Sequence, residues 1–158
     1  MDTYACVAPS KMLAPVRVTS TLVDLTISWS EPLDDGGCPI LGYAVFRNDG
    51  NNGAIKIEVN TAMDTNIRDK PSQRSSLITS YPSNHIGKTF MYQIQVFNVV
   101  GSSLSQTASY KFAAVPPAPT QGPLDDTAVT SSAQIRVTYE QMTSDTQTGG
   151  STILSYNL

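Results

Sequence analysis

The stretch FMYQIQVF, residues 90–97, alternates between two sets of side chains. Its even-numbered positions are the bulky apolar ones expected in a core: Phe90, Tyr92, Ile94 and Val96. Its odd-numbered positions are mixed: Met91, Gln93, Gln95 and Phe97. Because successive side chains of a β-strand point to opposite faces, the pattern predicts a strand with one buried face. Helical periodicity is hard to find elsewhere, so this strand favours an all-β class.

Shorter alternating runs occur on both sides of this strand. They are LVDLTISW (22–29), ILGYAVFR (40–47), AIKIEV (54–59) and LSQTASYKF (104–112). The predicted inward positions of the first two runs are Val23, Leu25, Ile27 and Trp29, then Leu41, Tyr43 and Val45. Turn-forming clusters such as NDGNNG (48–53) separate the runs, and the proline-rich AAVPPAPTQGP (113–123) follows them. About seven short strands at this spacing predict a β-sandwich.

Composition argues against two classes of partner. The 158 residues carry a net charge of −3, and the ten basic residues are scattered, with Arg68, Lys70 and Arg74 as the longest cluster. Phosphate binding needs clustered Lys and Arg, so we expect no nucleic-acid surface. No run approaches the ~18 apolar residues of a membrane helix, and the first residues, MDTYACVAPSKMLAP, lack the pattern of a signal peptide.

Part of the sequence recurs. DDGGCPILGYAV (34–45) is echoed by TGGSTILSYNL (148–158), which places Gly36 on Gly149 and Tyr43 on Tyr156, both 113 residues apart. Upstream, LTISWSE matches IRVTYE, so Trp29 corresponds to Tyr139, and the loop between the two motifs is longer in the second copy. Repetition at this period predicts a tandem array of modules.

The repeat also predicts module boundaries. YACVAP (4–9) matches FAAVPP (112–117), which ends a last strand and begins a linker. We therefore expect residues 1–13 to be the tail of a preceding module and its linker, 14–113 a complete module, and 114–158 a linker and the N-terminal half of a second. The last strand of that half, ILSYNL (153–158), would then be covered by a continuation of the chain or by strand addition from another chain.

The order of these motifs resembles the fibronectin type III module. ISWSEP is followed by DGG-x-P-I-x-G-Y-x-V and by Tyr-x-Ile-x-Val-x-Asn-x-x-Gly, with Trp29, Gly36, Gly37, Tyr43, Asn98 and Gly101 as anchors. The resemblance implies an immunoglobulin-like β-sandwich whose core includes Trp29, Tyr43, Phe90, Tyr92, Ile94 and Val96, and in the half-module Tyr139 and Tyr156. Phe90 departs from the family, which usually has a tyrosine there that hydrogen-bonds across the corner of the sandwich.

Cys6 and Cys38 are the only cysteines in the chain. In the geometry of the family, Cys6 would lie at the C-terminal pole of the preceding module and Cys38 in a loop at the N-terminal pole of the next one, and these two poles meet. A disulfide between them would then clip the junction of two modules. The alternative is two unpaired, small apolar residues.

Other candidates for chemistry have simpler explanations. Glu31, Asp34 and Asp35 have the oxygen ligands that calcium prefers, yet Asp-Asp-Gly-Gly is ordinary turn chemistry. His85 is the only histidine, without a nucleophile or second metal ligand near it in sequence. Phe97, outward on its strand, is a candidate contact residue. We therefore predict no catalytic residue, no metal site and no cofactor.

The predicted function is that of a non-catalytic structural or adhesive module, since arrays of fibronectin type III modules serve this use in many cell-surface proteins. The expected partners are neighbouring modules of the same chain, or other copies of it. The expected location is the cell surface or an extracellular filament or coat. The alternative is a spacer or accessory module of a larger enzyme or of an intracellular scaffold.

Overall fold

A computed structural model describes residues 5–59 and 67–157. The chain divides into two compact units, Met1–Phe112 and Ala113–Leu158. The first contains β1 (Val16–Ser20), β2 (Leu25–Ser28), β3 (Gly42–Arg47), β4 (Ile57–Glu58), β5 (Ser75–Ile78), β6 (Thr89–Phe97), β7 (Ser102–Leu104) and β8 (Ala108–Lys111). The second contains β9 (Leu124–Asp125), β10 (Val137–Thr138) and one short helix, α1 (Asp145–Thr148).

The first unit is built from two antiparallel sheets. One has the strand order β1-β2-β5 and the other β4-β3-β6-β7. Strand β8 also pairs with β6, alongside its first residues Thr89–Tyr92, whereas β7 pairs with its last, Gln95–Phe97. Side chains of both sheets meet in one apolar core. The predicted all-β, immunoglobulin-like sandwich is confirmed.

Strand β6 supplies the centre of the core. Its alternation appears directly in the burial of its side chains: Phe90, Tyr92, Ile94 and Val96 are each 0% exposed, and the residues between them are half-buried. Leu25 and Ile27 come from β2 in the opposite sheet, and Trp29 directly follows that strand. The Trp29 and Tyr43 rings lie 5.6 Å apart between centroids. Burial of each large side chain contributes about 2–3 kcal/mol.

Three of the strand predictions need correction. Val23 and Leu41 were expected in the core but are exposed. Val23 lies in the turn before β2, where its amide donates to Thr21 Oγ1, and Leu41 precedes β3. The run 104–112 divides into β7 and β8 around Ser105, whose hydroxyl accepts a hydrogen bond from the amide of Ile94.

Residues 5–13 do not form a separate tail. Met12 is 2% exposed and belongs to the core of the first unit. Its carbonyl accepts from the amide of Gln106, and the carbonyl of Ser10 accepts from Ser103 Oγ, so the segment lies beside β7. The compact unit therefore begins before residue 14, the boundary expected from the repeat.

In the second unit, β9 and β10 form a ladder of two residue pairs. Tyr139 is 52% exposed, so its predicted core position is wrong; its counterpart Trp29 is 5% exposed. The physical reason is that, among the described residues of this unit, no second sheet covers the β9–β10 ladder. The half-buried Tyr156 packs against Tyr139 with ring centroids 5.0 Å apart. Residues 153–157 form no strand, contrary to prediction, and Leu158 lies outside the described residues.

Helix α1 was not predicted. It occupies the longer loop of the second copy, and its first turn is capped by Ser144, whose hydroxyl accepts from the amide of Gln147 while the Gln147 side chain accepts from the amide of Ser144. The helix ends at Thr148 and is capped by Gly149, which has φ 66°. A four-residue helix has too little periodicity to be read from a sequence.

Candidate functional site

One pole of the first unit is organised by an N-terminal clamp, which we define as residues 5–12, the turn 34–38 and Asn98. Residues 5–12 lie across the turn: the Val7 amide donates to the Gly36 carbonyl at 2.9 Å, and the Ser10 amide to the Asp34 carbonyl at 2.8 Å. In return, the Asp34 amide donates to Ser10 Oγ at 3.1 Å. These bonds fix the chain before β1 to the turn between β2 and β3.

The two glycines of the turn adopt backbone angles that favour glycine, with φ 78° at Gly36 and 76° at Gly37. A Cβ atom on Gly36 would lie 2.1 Å from the Val7 carbonyl oxygen, whereas one on Gly37 would lie 3.6 Å from the Ala5 carbonyl oxygen. Gly36 is thus required twice, for its φ angle and for the close approach of residues 5–12.

The carboxylates of the turn serve the turn itself. Asp34 Oδ1 accepts from the Gly36 amide and Asp35 Oδ1 from the Gly37 amide, each at 2.8 Å. Glu31 instead forms an ion pair with Arg74. Within residues 5–59 and 67–157, no group of three or more His, Cys, Asp or Glu side chains could hold a metal ion.

Asn98 joins three segments at this pole. Its Nδ2 donates to the carbonyls of Val7 at 2.6 Å and Asp35 at 2.8 Å. Its Oδ1 accepts from the amides of Val100 and Gly101, each at 3.0 Å. Two donor and two acceptor positions of one buried amide are therefore used. The sequence identified Asn98 as an anchor of the family, but nothing in it indicated residues 5–12 as its partner.

Cys6 and Cys38 are joined by a disulfide in this structure, with their Cα atoms 5.6 Å apart. Both cysteines lie in the first unit. The disulfide therefore links two segments of one unit and does not join two modules, contrary to the prediction from the sequence. The reason is that hydrogen bonds hold residues 5–12 against the turn 34–38 of the same sandwich. The bond closes a covalent loop around β1 and β2.

The opposite pole carries an aromatic cluster that includes the sole histidine. His85 Nε2 lies 2.6 Å from the Leu22 carbonyl oxygen and Nδ1 lies 2.8 Å from that of Pro82, so the ring ties two loops together. The Tyr81 and Tyr92 hydroxyls are 2.7 Å apart. Burial raises the pKa of Tyr81 to about 12 and raises the pKa of Tyr92 as well. Both phenols are therefore protonated at neutral pH, which suits a packing role.

Arg47 lies beneath this cluster and is only 7% exposed. Its guanidinium donates to the carbonyls of Asn48 and Ser80, each at 2.8 Å. It also lies 5.5 Å from the Tyr81 ring centroid and 5.4 Å from that of Phe90. Sequence reasoning missed this residue, since its partner Ser80 is far along the chain. Phe90 occupies the position where fibronectin type III modules usually have a tyrosine that hydrogen-bonds across the corner of the sandwich. In this chain a bond from a tyrosine to a distant backbone carbonyl is made by Tyr110, whose hydroxyl donates to the Pro15 carbonyl at 2.7 Å.

The remaining surface candidates have partners within the first unit. The Phe97 ring is covered by the Arg68 guanidinium at 4.8 Å, and Arg68 is bonded to Glu58 at 3.0 and 2.8 Å. Arg74, the other arginine of the basic cluster, pairs with Glu31. No helix among the described residues is long and apolar enough to cross a membrane.

No model of a known protein family matches the chain. Solved structures do. The human structure described as the fourth FNIII domain is 20% identical, with a TM-score of 0.57, and the match covers 76% of this chain and 92% of that one. The fold is that of a fibronectin type III domain.

Two further matches come from larger assemblies of domains. Chicken CNTN1 FN1–FN3 is 15% identical, with a TM-score of 0.52 and coverage of 89% of this chain and 44% of that one. Titin domains A168–A170 are 16% identical, with a TM-score of 0.50 and coverage of 67% of this chain. The chain spans about a third of that titin fragment, 32%. At these identities the likeness shows the fold alone, in a form that occurs as a module of multidomain proteins.

Proposed function

We propose that this chain is a non-catalytic structural or adhesive part of a tandem array, at the cell surface or in an extracellular filament or coat. Its partners are neighbouring modules of the same chain or other copies of it. The module acts as a rigid spacer that keeps its two ends at a fixed distance and orientation. It binds its neighbours through surface residues and not through a catalytic pocket.

The observation that carries this proposal is a contact that occurs once in each unit. In the first, the Val7 amide donates to Gly36; in the second, the Ala114 amide donates to Gly149 at 2.7 Å. Both glycines have positive φ, and a Cβ atom on Gly149 would lie 2.3 Å from the Ala114 carbonyl oxygen. In the sequence repeat Val7 corresponds to Val115, so the second contact is displaced by one residue, but the matched glycine makes the same kind of backbone contact in both units. This similarity supports two copies of one module.

The surface location is supported by the disulfide. A bond between Cys6 and Cys38 persists in oxidising environments such as the extracellular space and is rare in the cytosol. A load-carrying role is supported by the clamp, which fixes the N-terminal entry of the chain through one covalent bond and several hydrogen bonds.

The partnership between modules is supported by the exposed apolar residues of the second unit. Ile135 is 80% and Leu154 96% exposed, although the alternation of the first unit buries the residues that correspond to Ile135 and its neighbours. We propose that a further segment, from this chain or another copy, covers this face and pairs with residues 153–158, which would form a strand on pairing.

The test is to raise antibodies against the whole chain and to label the native protein on intact and on permeabilised cells. We expect labelling of intact cells. Labelling only after permeabilisation would overturn the surface location and favour the intracellular scaffold. Mass-spectrometric sequencing of the immunoprecipitated protein supplies the second readout: further copies of the module support the array, and a flanking catalytic domain contradicts it.

A further inference from the structure

We propose that the Cys6–Cys38 bond redirects tension along the chain, away from the β1–β2 ladder and onto the β3–β6 ladder. The inference rests on the proposed function to the extent that a module of a surface array carries load between its ends. It concerns the path of the force through the first unit, which the fold alone does not determine.

The covalent path explains the redirection. Cys6 and Cys38 are separated by 32 positions in sequence, and the loop between them contains both β1 and β2. A pull on the chain before Cys6 passes through the two sulfur atoms to Cys38 and from there directly toward β3. Residues 7–37 then lie outside the loaded path.

The ladder that is bypassed is the weaker one. Strand β1 lies at the edge of its sheet, where its described strand partner is β2. Its five residues are all exposed, and its register with β2 is interrupted between Arg17 and Thr19. Exposed and irregular edge ladders open more readily than regular central ones, because water can replace their hydrogen bonds one at a time.

The ladder that is loaded is central and regular. Strand β3 pairs with β6 without interruption from Gly42 to Arg47. Strand β8 is the last strand of the first unit and pairs with the other end of β6. Gly42 at the start of β3 lies opposite Phe97, whereas Lys111 at the end of β8 lies opposite Thr89. Tension entering β3 and leaving β8 therefore acts along the strands and shears both ladders, so that their hydrogen bonds resist together.

The same force path also removes tension from the N-terminal clamp. Its hydrogen bonds between Val7, Gly36 and Asn98, and the buried Met12 side chain, lie within or against the bypassed loop. With the disulfide intact they carry no tension. Without it, they are the first contacts of the unit to be loaded.

The experiment stretches single molecules of the full chain, held by its two ends, with the bond intact, after reduction by a phosphine, and as the Cys6→Ser/Cys38→Ser variant. With the bond intact, unfolding of the first unit should release about 11 nm less chain, since the 32-residue loop stays closed at about 3.5 Å per residue. It should also occur at a higher force. The reduced chain and the variant should show an additional, earlier event at low force as residues 5–20 detach.

Two outcomes overturn the inference. Equal extension in oxidised and reduced chains shows that the bond does not close the loop. A shorter extension without a higher force, or without the early event in the reduced chain, shows that the load does not shift between ladders. If the variant fails to fold, the phosphine-treated native chain gives the same comparison. Cell labelling is read independently, so failure of the surface location is distinguishable from failure here.

Discussion

The amide of Val7 and the carbonyl of Gly36 form a 2.9 Å hydrogen bond, while the Val7 carbonyl oxygen lies 2.1 Å from where a Cβ atom on Gly36 would stand. Val7 therefore contacts Gly36 through both polar groups of its own peptide backbone. Position 36 therefore has room for glycine but not for a residue with a Cβ atom.

Gly36→Ala should lower the free energy of unfolding by about 2–4 kcal/mol, as a positive φ and a backbone clash act together. Gly37→Ala is the matched control: φ is nearly the same, 76° against 78°, but its Cβ atom has room. We expect the control to cost about 1–2 kcal/mol. Denaturant titration followed by circular dichroism measures both, and equal losses would contradict the clash.

Trp29→Ala should cost about 3–5 kcal/mol, because it removes a large buried side chain from the centre of the sandwich. The corresponding change in the second unit, Tyr139→Ala, should change stability by less than about 0.5 kcal/mol, since Tyr139 is 52% exposed. Equilibrium denaturation compares the two. A loss under about 1 kcal/mol for Trp29→Ala would mean that Trp29 is not part of the core.

Asn98→Ala should cost about 2–4 kcal/mol, because the carbonyls of Val7 and Asp35 and the amides of Val100 and Gly101 lose their partner together. Hydrogen exchange should accelerate at Val7, Val100 and Gly101 before it does so in β6. Asn84→Ala, an exposed asparagine in a loop, is the control and should have little effect. Unchanged exchange at these three amides would show that Asn98 does not hold the clamp.

Ellman titration of the native protein, denatured but not reduced, should detect no free thiol. Reduction should then lower the free energy of unfolding by about 3–4 kcal/mol, the range expected for a closed loop of this length. Two free thiols in protein isolated from its own compartment would remove the bond and every argument based on it.

Residues 118–158 expressed alone should exchange their amide hydrogens rapidly. Their described strands form only the two-pair β9–β10 ladder, and Ile135, Tyr139 and Leu154 are exposed, so the peptide buries too little apolar area to offset chain entropy. Slow exchange in a monomeric sample, independent of concentration, would show that this segment folds by itself.

Much of the fold was predictable because alternation and turn residues act locally. The burial of Ile94 and the positive φ of Gly36 follow from residues within a few positions of each. The long-range contacts were not predictable: Arg47 donates to Ser80, the Asn98 amide donates to Val7 and Asp35, and the Met12 carbonyl accepts from Gln106. These partners lie far away in sequence, and polar-to-backbone bonds leave no periodic pattern. Tyr139 was misjudged for a related reason: an apolar side chain in an alternating run is buried only where a second sheet lies against it.

Strand β6 has a consequence for the rate at which the protein folds. It pairs with β3, which precedes it by tens of residues, and with β7 and β8, which follow it closely. The local hairpins can form early, but the β3–β6 ladder must wait until a long intervening loop has closed, at a considerable entropic cost. Topologies dominated by such distant pairings fold on the scale of milliseconds to seconds. The unit thus reaches its native state slowly, with its longest ladder among the last to assemble.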